Sequence, residues 1–430
     1  MTKFLKVLVV IALVLMVLGA GAYVWAGWGI ARFEQAWRAE IAAERAAAAD
    51  KRRPVLRGEP RPGVNAAPEY EVLIAKIYAD SSATGALTQA AKAPPGPLEA
   101  SVATDLDRHR AQVAAVREAV RADRCDWKIE WERGAEIRLP KLVPACRLAD
   151  LLIIQGHERA LAGDARGAAE RYLEAARFAA DMGEAAGLIS VNFGAAISDR
   201  AYEAVGRLVG HGALGAEGLA AVEREIGLLD AALASVAAKL RHERLAITAQ
   251  MLRIGGVMDV RETLKVVTPV GETPSIWPLL LPSRVFVALT WPEYERVLRE
   301  FEAAVALPDR DARAARLAAL RREAEASWNP IVAMSAPSGD AKFGIAADRA
   351  SARRAIVLAA AAVARYKLEK GVFPASLGET MAAPPRDPFG PGPVLYQRAT
   401  DGASARVASL GTTDKGEPIA VELGTKVSSK

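Results

Sequence analysis

The N-terminal segment from Val7 to Ala31 limits the possible folds of this chain more than any other part of it. It is uncharged throughout, and only a short tail containing Lys3 and Lys6 precedes it. As a helix rising about 1.5 Å per residue it would reach roughly 37 Å, more than the ~30 Å hydrocarbon core of a bilayer. We therefore predict a transmembrane anchor over residues 1–31 that contacts membrane lipid through residues 7–31, followed by a large extramembrane body.

A cleavable signal peptide is the alternative for this segment. The tripeptide Ala-Gly-Ala at 20–22 would suit a signal peptidase after a basic tail and an apolar core. The apolar stretch nevertheless continues past this point through Tyr23, Trp25 and Trp28, and such aromatic residues are typical of a membrane–water interface. We therefore predict that the anchor is retained.

The orientation of the anchor depends on its flanks. Basic residues lie on both sides, and their numbers do not decide between the two orientations. A short N-terminal tail followed by a long domain is the arrangement of a signal-anchor. We therefore predict a single-pass protein of a bacterial inner membrane with its C-terminal body in the periplasm.

The composition indicates the fold class of the body. Of the 430 residues 51% are apolar and only 6% aromatic, and alanine dominates, which favours closely packed helices. We predict a mainly α protein with one N-terminal transmembrane helix, a multi-helix extramembrane body and a small C-terminal α+β module. The net charge of +5 is mild, and basic residues are interleaved with acidic ones, so we predict no nucleic-acid partner.

The chain contains two cysteines, Cys125 and Cys146. In an exported protein such a pair is a disulfide candidate, and closing a loop of about twenty residues would stabilise the fold by roughly 3 kcal/mol. From Trp127 to Glu132 apolar side chains alternate with charged ones, which predicts a short β segment near residues 125–140. Two free buried thiols are the alternative to the disulfide.

Breaks in the helical periodicity divide the chain. Residues 32–68 read as a juxtamembrane helix and a Pro-rich linker, in which the basic run at 51–53 is expected to be solvated, with contact to anionic headgroups as the alternative. Residues 69–335 read as the helical body, with a Pro-rich loop at 271–282. Residues 345–430 are predicted to form the C-terminal module.

A resemblance in the middle of the chain rests on five residues at helical spacing: Leu152, Gly156, Ala168, Tyr172 and Ala175. With Gly163-Asp164 at the turn, they resemble one unit of the tetratricopeptide repeat family. The resemblance implies that Gly156 and Ala168 lie where two helices press together, with Tyr172 filling the groove beside them. We see no second copy at this period, so we predict a single helical hairpin; a peptide-binding array of such repeats is the alternative.

The C-terminal ~60 residues carry a second resemblance. They contain a helix ending in glycine, an aromatic-proline pair, a D-P-aromatic-G turn, a tyrosine strand and a Ser-Leu-Gly strand, at Tyr366, Gly371, Phe373, Pro374, Leu377, Asp387, Pro388, Phe389, Gly390, Tyr396, Ser409, Leu410 and Gly411. This pattern resembles the C-terminal half of type II secretion major pseudopilins. Gly371 is expected to cap the helix in a left-handed conformation, and Asp387 to bond backbone amides of a tight turn. These residues are therefore interpreted as determinants of the fold.

Two departures from pseudopilins limit what this resemblance implies. No Gly-Phe processing junction precedes Val7, and the pilin-like helix lies more than three hundred residues beyond the membrane segment, so we do not expect polymerisation. Asp414 beside Lys415 cannot furnish the six or more oxygens of a calcium site. The whole chain is more similar to large exported bacterial proteins that have a single anchor and the same ending.

The sequence contains no recognisable catalytic motif. It lacks a G-x-S-x-G elbow, a phosphate loop and a dinucleotide fingerprint. Two of its four histidines, His157 and His242, precede a glutamate, but neither has a second histidine four residues later, and both are expected to be solvated or salt-bridged on long helices. We predict no catalytic, cofactor-binding or metal-ligating residue and no cofactor.

These observations favour a membrane-anchored envelope scaffold or protein-interaction component, with protein partners in the envelope and a link to secretion or surface assembly. The alternative is an exported enzyme or small-ligand-binding protein without a recognisable motif. A deep pocket with two or more convergent ionisable side chains would favour the enzyme. An exposed apolar groove along residues 152–208 would favour a binding module.

Overall fold

A computed structural model describes residues 2–54, 59–79, 84–185, 187–230, 236–256, 283–307, 309–329, 332, 344–413 and 415–424. The loop predicted at 271–282 and the residue Asp414 lie outside these ranges. The predicted mainly α fold class is confirmed, because the described residues form thirteen α-helices: α1 (Thr2–Asp50), α2 (Ala66–Ala79), α3 (Thr84–Lys92), α4 (Ala100–Arg108), α5 (Arg110–Ala119), α6 (Leu142–Leu161), α7 (Ala165–Gly183), α8 (Leu188–Gly210), α9 (Ala216–Asp230), α10 (Val236–Gly256), α11 (Ser283–Val305), α12 (Arg310–Glu325) and α13 (Ile345–Lys370).

Five short strands form two small sheets in the described residues. Strands β1 (Arg61–Asn65) and β2 (Ala122–Arg124) pair in parallel, which attaches the predicted linker to the body. Strands β3 (Leu395–Arg398), β4 (Ala405–Thr412) and β5 (Pro418–Leu423) form an antiparallel sheet in that order. Short 3-10 helices occupy 131–136 and 377–379.

Helix α1 continues without a break from the apolar run into the body. Of the helices in the described residues, it alone has the length and apolar composition needed to cross a bilayer. Its side chains from Leu13 to Leu18 are more than half exposed. These properties agree with a single-pass anchor.

Helices α6 and α7 form the hairpin predicted at Leu152–Ala175. Gly163 turns the chain with a positive φ of 79°, and Asp164 then caps α7 by accepting a hydrogen bond from the amide of Gly167 at 2.8 Å. A methyl group added to Gly156 would lie 2.3 Å from Cε1 of Tyr172, so the close approach predicted for these two residues is confirmed.

The C-terminal module shares its core with the helical body. Helix α13 packs against α8, α9 and strands β4 and β5, and its alanines from Ala352 to Ala361 belong to the same buried cluster as α6–α8. A methyl group added to Gly206 of α8 would lie 3.0 Å from Val421 of β5. Helix α13 therefore covers part of α8. Within 152–208, the described apolar side chains are largely buried.

The local interpretation of the C-terminal turn is confirmed. Gly371 ends α13 at a φ of 78°. The buried carboxylate of Asp387 accepts hydrogen bonds from the amides of Phe389 (3.0 Å) and Leu410 (2.7 Å) and from the hydroxyl of Ser409 (2.6 Å). Asp387 thus holds the turn against strand β4 and has a structural role.

The β segment predicted near 125–140 is wrong. Strand β2 ends at Arg124, the next six residues are irregular with Lys128 at a φ of 46°, and a 3-10 helix follows at 131–136. The two tryptophans have separate partners: Trp127 donates to the carbonyl of Asp181 at 2.9 Å, and Trp131 lies against another helix. The alternation therefore reflects two unrelated contacts.

The predicted disulfide is not formed, and Cys125 and Cys146 are both free thiols. Their surroundings differ. Burial and the nearby Asp181 raise the pKa of Cys125, whereas Cys146 lies beside Arg200, and burial raises its pKa to about 11. Both cysteines pack against the same hydrophobic cluster, but their nearest charged groups differ.

Candidate functional site

The candidate site is a cleft of about 630 Å³ where the last turns of α1 meet the body. The last turns of α1, the irregular loop at 125–131, the end of α7 and the start of α10 form its walls. We call it the juxtamembrane cleft, and its described lining includes Glu44, Ala48, Lys51, Cys125, Trp127, Lys128, Trp131, Glu184, Lys239 and His242.

Lys239 is the most deeply buried ionisable group of the cleft. Its ammonium group donates a hydrogen bond to the carbonyl oxygen of Glu184 at 2.7 Å and lies 3.4 Å from Nδ1 of His242. Burial lowers the pKa of Lys239 to about 8. Because Glu184 ends α7, Lys239 also satisfies a carbonyl group at the C-terminus of that helix.

His242 and Glu44 form the second ionisable pair. Nε2 of His242 lies 3.4 Å from a carboxylate oxygen of Glu44, and Trp131 packs on the imidazole with 4.5 Å between ring centroids. Hydrogen bonds from His242 and Arg241 lower the pKa of Glu44 to about 2, whereas burial lowers the pKa of His242. At neutral pH the pair therefore consists of a carboxylate and a neutral imidazole.

The cleft combines apolar and cationic surfaces. Trp127 and Ala48 contribute apolar walls, while Lys51 pairs with Glu184 at 2.7 Å and Lys128 lines the same space. Such a lining can bind a small amphipathic molecule, and the neutral imidazole of His242 can accept a proton. The walls of this cleft come from four segments far apart in the chain, so residue spacing does not predict it. The only local signal was the His-Glu pair at 242–243.

Behind the cleft lies a buried charge network. Of the basic run predicted to be solvated, Lys51 and Arg52 are exposed, but the prediction is wrong for Arg53. Arg53 is only 8% exposed and forms an ion pair with Asp181 of α7. Its guanidinium also donates to the carbonyls of Ala119 (3.0 Å) and Ala122 (2.7 Å). The carbonyls at the end of α5 and in β2, together with the carboxylate of α7, replace the water that this arginine loses on burial. The chain that follows α1 is therefore attached to the core.

Two further groups complete this network. Tyr70 donates its hydroxyl proton to Asp181 at 2.7 Å, and Arg177 donates to the carbonyl of Pro54 at 2.6 Å. Burial lowers the pKa of Arg177, and burial beside Asp181 raises the pKa of Tyr70. Arg53 in the linker and Tyr70 in the helix that follows it therefore both contact the buried carboxylate of Asp181.

A second set of charges clamps the C-terminal half of α1 to α10 and α11. Arg244, whose side chain is 2% exposed, pairs with Glu40 of α1 and lies 3.4 Å from Glu302 of α11. Trp37 donates its indole proton to the carbonyl of Leu245 at 2.9 Å. We call these contacts the α1 clamp. They join α1 to the body through side chains of both α10 and α11.

The histidines differ from the expectation in one case. His157 is neither solvated nor salt-bridged: it is 1% exposed and lies 2.7 Å from the hydroxyl of Tyr172. His242 is near Glu44, as described. Within the described ranges, no three His, Cys, Asp or Glu side chains are grouped to hold a metal ion.

Comparisons with known proteins give no relative. No protein-family model matches the chain, and neither a curated protein nor a solved structure matches it.

Proposed function

We propose that this protein is a membrane-anchored scaffold or interaction component of the bacterial envelope. In this proposal α1 crosses the inner membrane once, the body lies in the periplasm, and protein partners linked to secretion or surface assembly bind the body. The observation that carries the proposal is the unbroken α1 with its clamp.

The clamp matters because it sets the position and orientation of the body. A soluble domain that needs only to remain near a membrane can be attached by a flexible linker. Here α1 is a continuous helix of 49 residues, and its outer half is fixed by Arg244, Glu40 and Trp37. Breaking a buried ion pair by removing one partner costs about 3–5 kcal/mol. Rigid attachment of this kind supports a positioning role.

The surface available to partners is restricted, because the alanine-rich helix α13 packs against α8. An exposed apolar patch remains around Lys141, whose amine lies 3.2 Å from the ring centroid of Tyr78. Tyr78, Leu139 and Val143 are 58%, 43% and 52% exposed. Exposed apolar patches of this kind often mark protein contacts.

Site-specific photo-crosslinking in intact cells tests the proposal. A photoreactive phenylalanine at Val143 is expected to give discrete adducts with envelope proteins. The same residue at Arg166, an exposed polar position of α7, serves as the matched control and is expected to give none. Recovery of full-length protein in the membrane fraction without adducts at Leu139 or Val143 would count against partner binding through this patch.

The juxtamembrane cleft supports the alternative of a small-ligand-binding protein or an exported enzyme. The alternative requires a pocket in which ionisable groups converge. In this cleft Lys239, His242 and Glu44 lie close together. An anionic aromatic dye, anilinonaphthalene sulfonate, probes it. Saturable binding that Ala48→Trp abolishes, and that Ala303→Trp on an exposed face of α11 leaves unchanged, would favour this function. Identical binding by both variants would argue against it.

A further inference from the structure

The N-terminal end of α11 lies against the part of α1 that should leave the membrane. Ala26 of α1 is completely buried, in a cluster with Val285 and Ala288 of α11. The guanidinium of Arg284 lies 4.9 Å from the ring centroid of Tyr23, and a methyl group added to Gly27 would lie 3.5 Å from the same side chain. The body therefore begins to contact α1 within the uncharged run.

The contacts continue in the same order along both helices. Arg284 is beside Tyr23, Ala288 is beside Ala26, and Arg299 lies 3.4 Å from Glu40. Helix α11 thus runs parallel to α1 and away from the membrane, and Arg284 is close to its membrane-proximal end.

The length of the apolar run indicates where the N-terminal end of α11 lies relative to the bilayer. The part of the apolar run that precedes the contacts with α11, from Val7 to Ala22 inclusive, has only sixteen residues. They span about 24 Å, which is less than the ~30 Å hydrocarbon core. Reaching ~30 Å takes about twenty residues, so the apolar core must extend to about Ala26. The start of α11 is then at the lipid boundary.

The side chains at this level suit the headgroup region. Trp25 and Trp28 are 52% and 64% exposed, and Arg32 lies 5.0 Å from the ring centroid of Trp28. Tryptophan, tyrosine and arginine are enriched at membrane interfaces, where the apolar part of each side chain packs against lipid and its polar part reaches water or phosphate. Leu289 of α11, at 41% exposure, adds an apolar side chain nearby.

We propose that the N-terminal end of α11, through Arg284 and Leu289, is a second membrane contact of this protein and binds the phospholipid interface beside α1. The proposal rests on the membrane anchoring by α1 proposed above. It adds a contact between the body and the lipid, which fixes the tilt of the body relative to the bilayer.

Depth-dependent quenching in vesicles tests this contact. The full chain with Cys125 and Cys146 replaced by serine carries one environment-sensitive fluorophore, on Leu289→Cys or on Ala303→Cys. Ala303 is exposed on nearly the same face of α11, fourteen residues later and thus about 21 Å farther from the membrane. Vesicles contain phosphatidylethanolamine, phosphatidylglycerol and a lipid with a spin label near the headgroup.

We expect a several-fold larger loss of fluorescence at position 289 than at position 303. A fluorophore on Val24→Cys, an exposed residue of α1, reports the anchor independently. Quenching at 24 with equal, weak quenching at 289 and 303 would overturn the α11 contact and leave the anchor intact. Absence of quenching at 24 and 289 would overturn both. Circular dichroism of each variant verifies that the helices are formed.

Discussion

Arg53 and Asp181 form an ion pair that joins the first residues after α1 to the centre of the body. Their side chains are only 6% and 4% exposed. Through this pair, with Tyr70 and Arg177 around it, the linker is part of the core. The outer half of α1 is held independently by the clamp at Glu40 and Arg244. Two charge networks thus join the body to α1 and to the residues that follow it.

Asp181→Asn is expected to destabilise the body by about 3–5 kcal/mol, because it leaves the guanidinium groups of Arg53 and Arg177 buried without a carboxylate. Thermal unfolding of the full chain in detergent measures the change. Arg45→Ala is the control, because it removes an exposed ion pair with Glu132, and such pairs contribute about 0–1 kcal/mol. Equal stability losses in the two variants would contradict the role assigned to Asp181.

Gly156→Ala is expected to destabilise the hairpin by about 1–3 kcal/mol through overpacking. The new methyl group would overlap the ring of Tyr172, whose hydroxyl is held 2.7 Å from His157 and so cannot move freely. Gly227→Ala in α9 is the matched control. Its methyl group meets nothing within 4 Å, so it should stabilise the helix by up to about 1 kcal/mol. Denaturant unfolding distinguishes the opposite signs.

Stability is expected to rise with pH between about 4 and 6.5 through His157. Burial lowers its pKa to about 4 in the folded state, below the ordinary value of 6.5, so the unfolded chain binds more protons in this interval. Above pH 6.5 His157 is neutral in both states, and the free energy of unfolding does not depend on it. As the pH falls to about 4, the free energy of unfolding decreases by about 3 kcal/mol. His157→Gln should flatten this part of the pH profile of unfolding.

The exposed His211 provides the control for this prediction. His211→Gln removes an imidazole that is exposed to solvent, and its profile is compared with that of His157→Gln. A parallel profile for His157→Gln and the wild type would show that the buried imidazole is not responsible.

In protein purified without reductant, both cysteines are expected to be detected as free thiols by a disulfide reagent. In the native state their reaction with a disulfide reagent should be slow, because burial raises the pKa of Cys125 and raises that of Cys146 to about 11. In guanidinium chloride both should react quickly and give two equivalents per chain. A yield near zero would mean that the protein carries the disulfide after all. Cys125→Ser and Cys146→Ser assign the two signals.

The proposed orientation predicts the activity of reporters fused after Lys430. Alkaline phosphatase should be active there, because it folds only after export, whereas green fluorescent protein should remain dark. The same fluorescent protein fused before Met1 is the control and should fluoresce on the cytoplasmic side. Fluorescence of the C-terminal fusion would place the body in the cytoplasm and refute the proposal.

Several local features could be read directly from residue types and spacing. The left-handed Gly371, the turn at Asp387 and the close contact of Gly156 with Tyr172 all depend on neighbours within about twenty residues along the chain. The chemistry of each residue limits the backbone: glycine permits a positive φ or a close helix approach, and aspartate accepts bonds from nearby amides. The helical class of the body and the single apolar helix were predictable for the same reason, since periodicity and length are local properties.

The contacts that required the folded chain join residues that are far apart in sequence. Arg53 resembled a solvated linker residue, because nothing near it announces Asp181, and the wrong β segment arose because Trp127 and Trp131 contact different helices. Lys239, His242 and Glu44 meet in a cleft whose only local signal was the His-Glu pair at 242–243, and nothing in α1 indicates that Glu44 lies beside it. A charged side chain can be buried only where other groups replace its hydrogen bonds to water. Here those groups are distant in sequence, and only the packing of the folded chain brings them together.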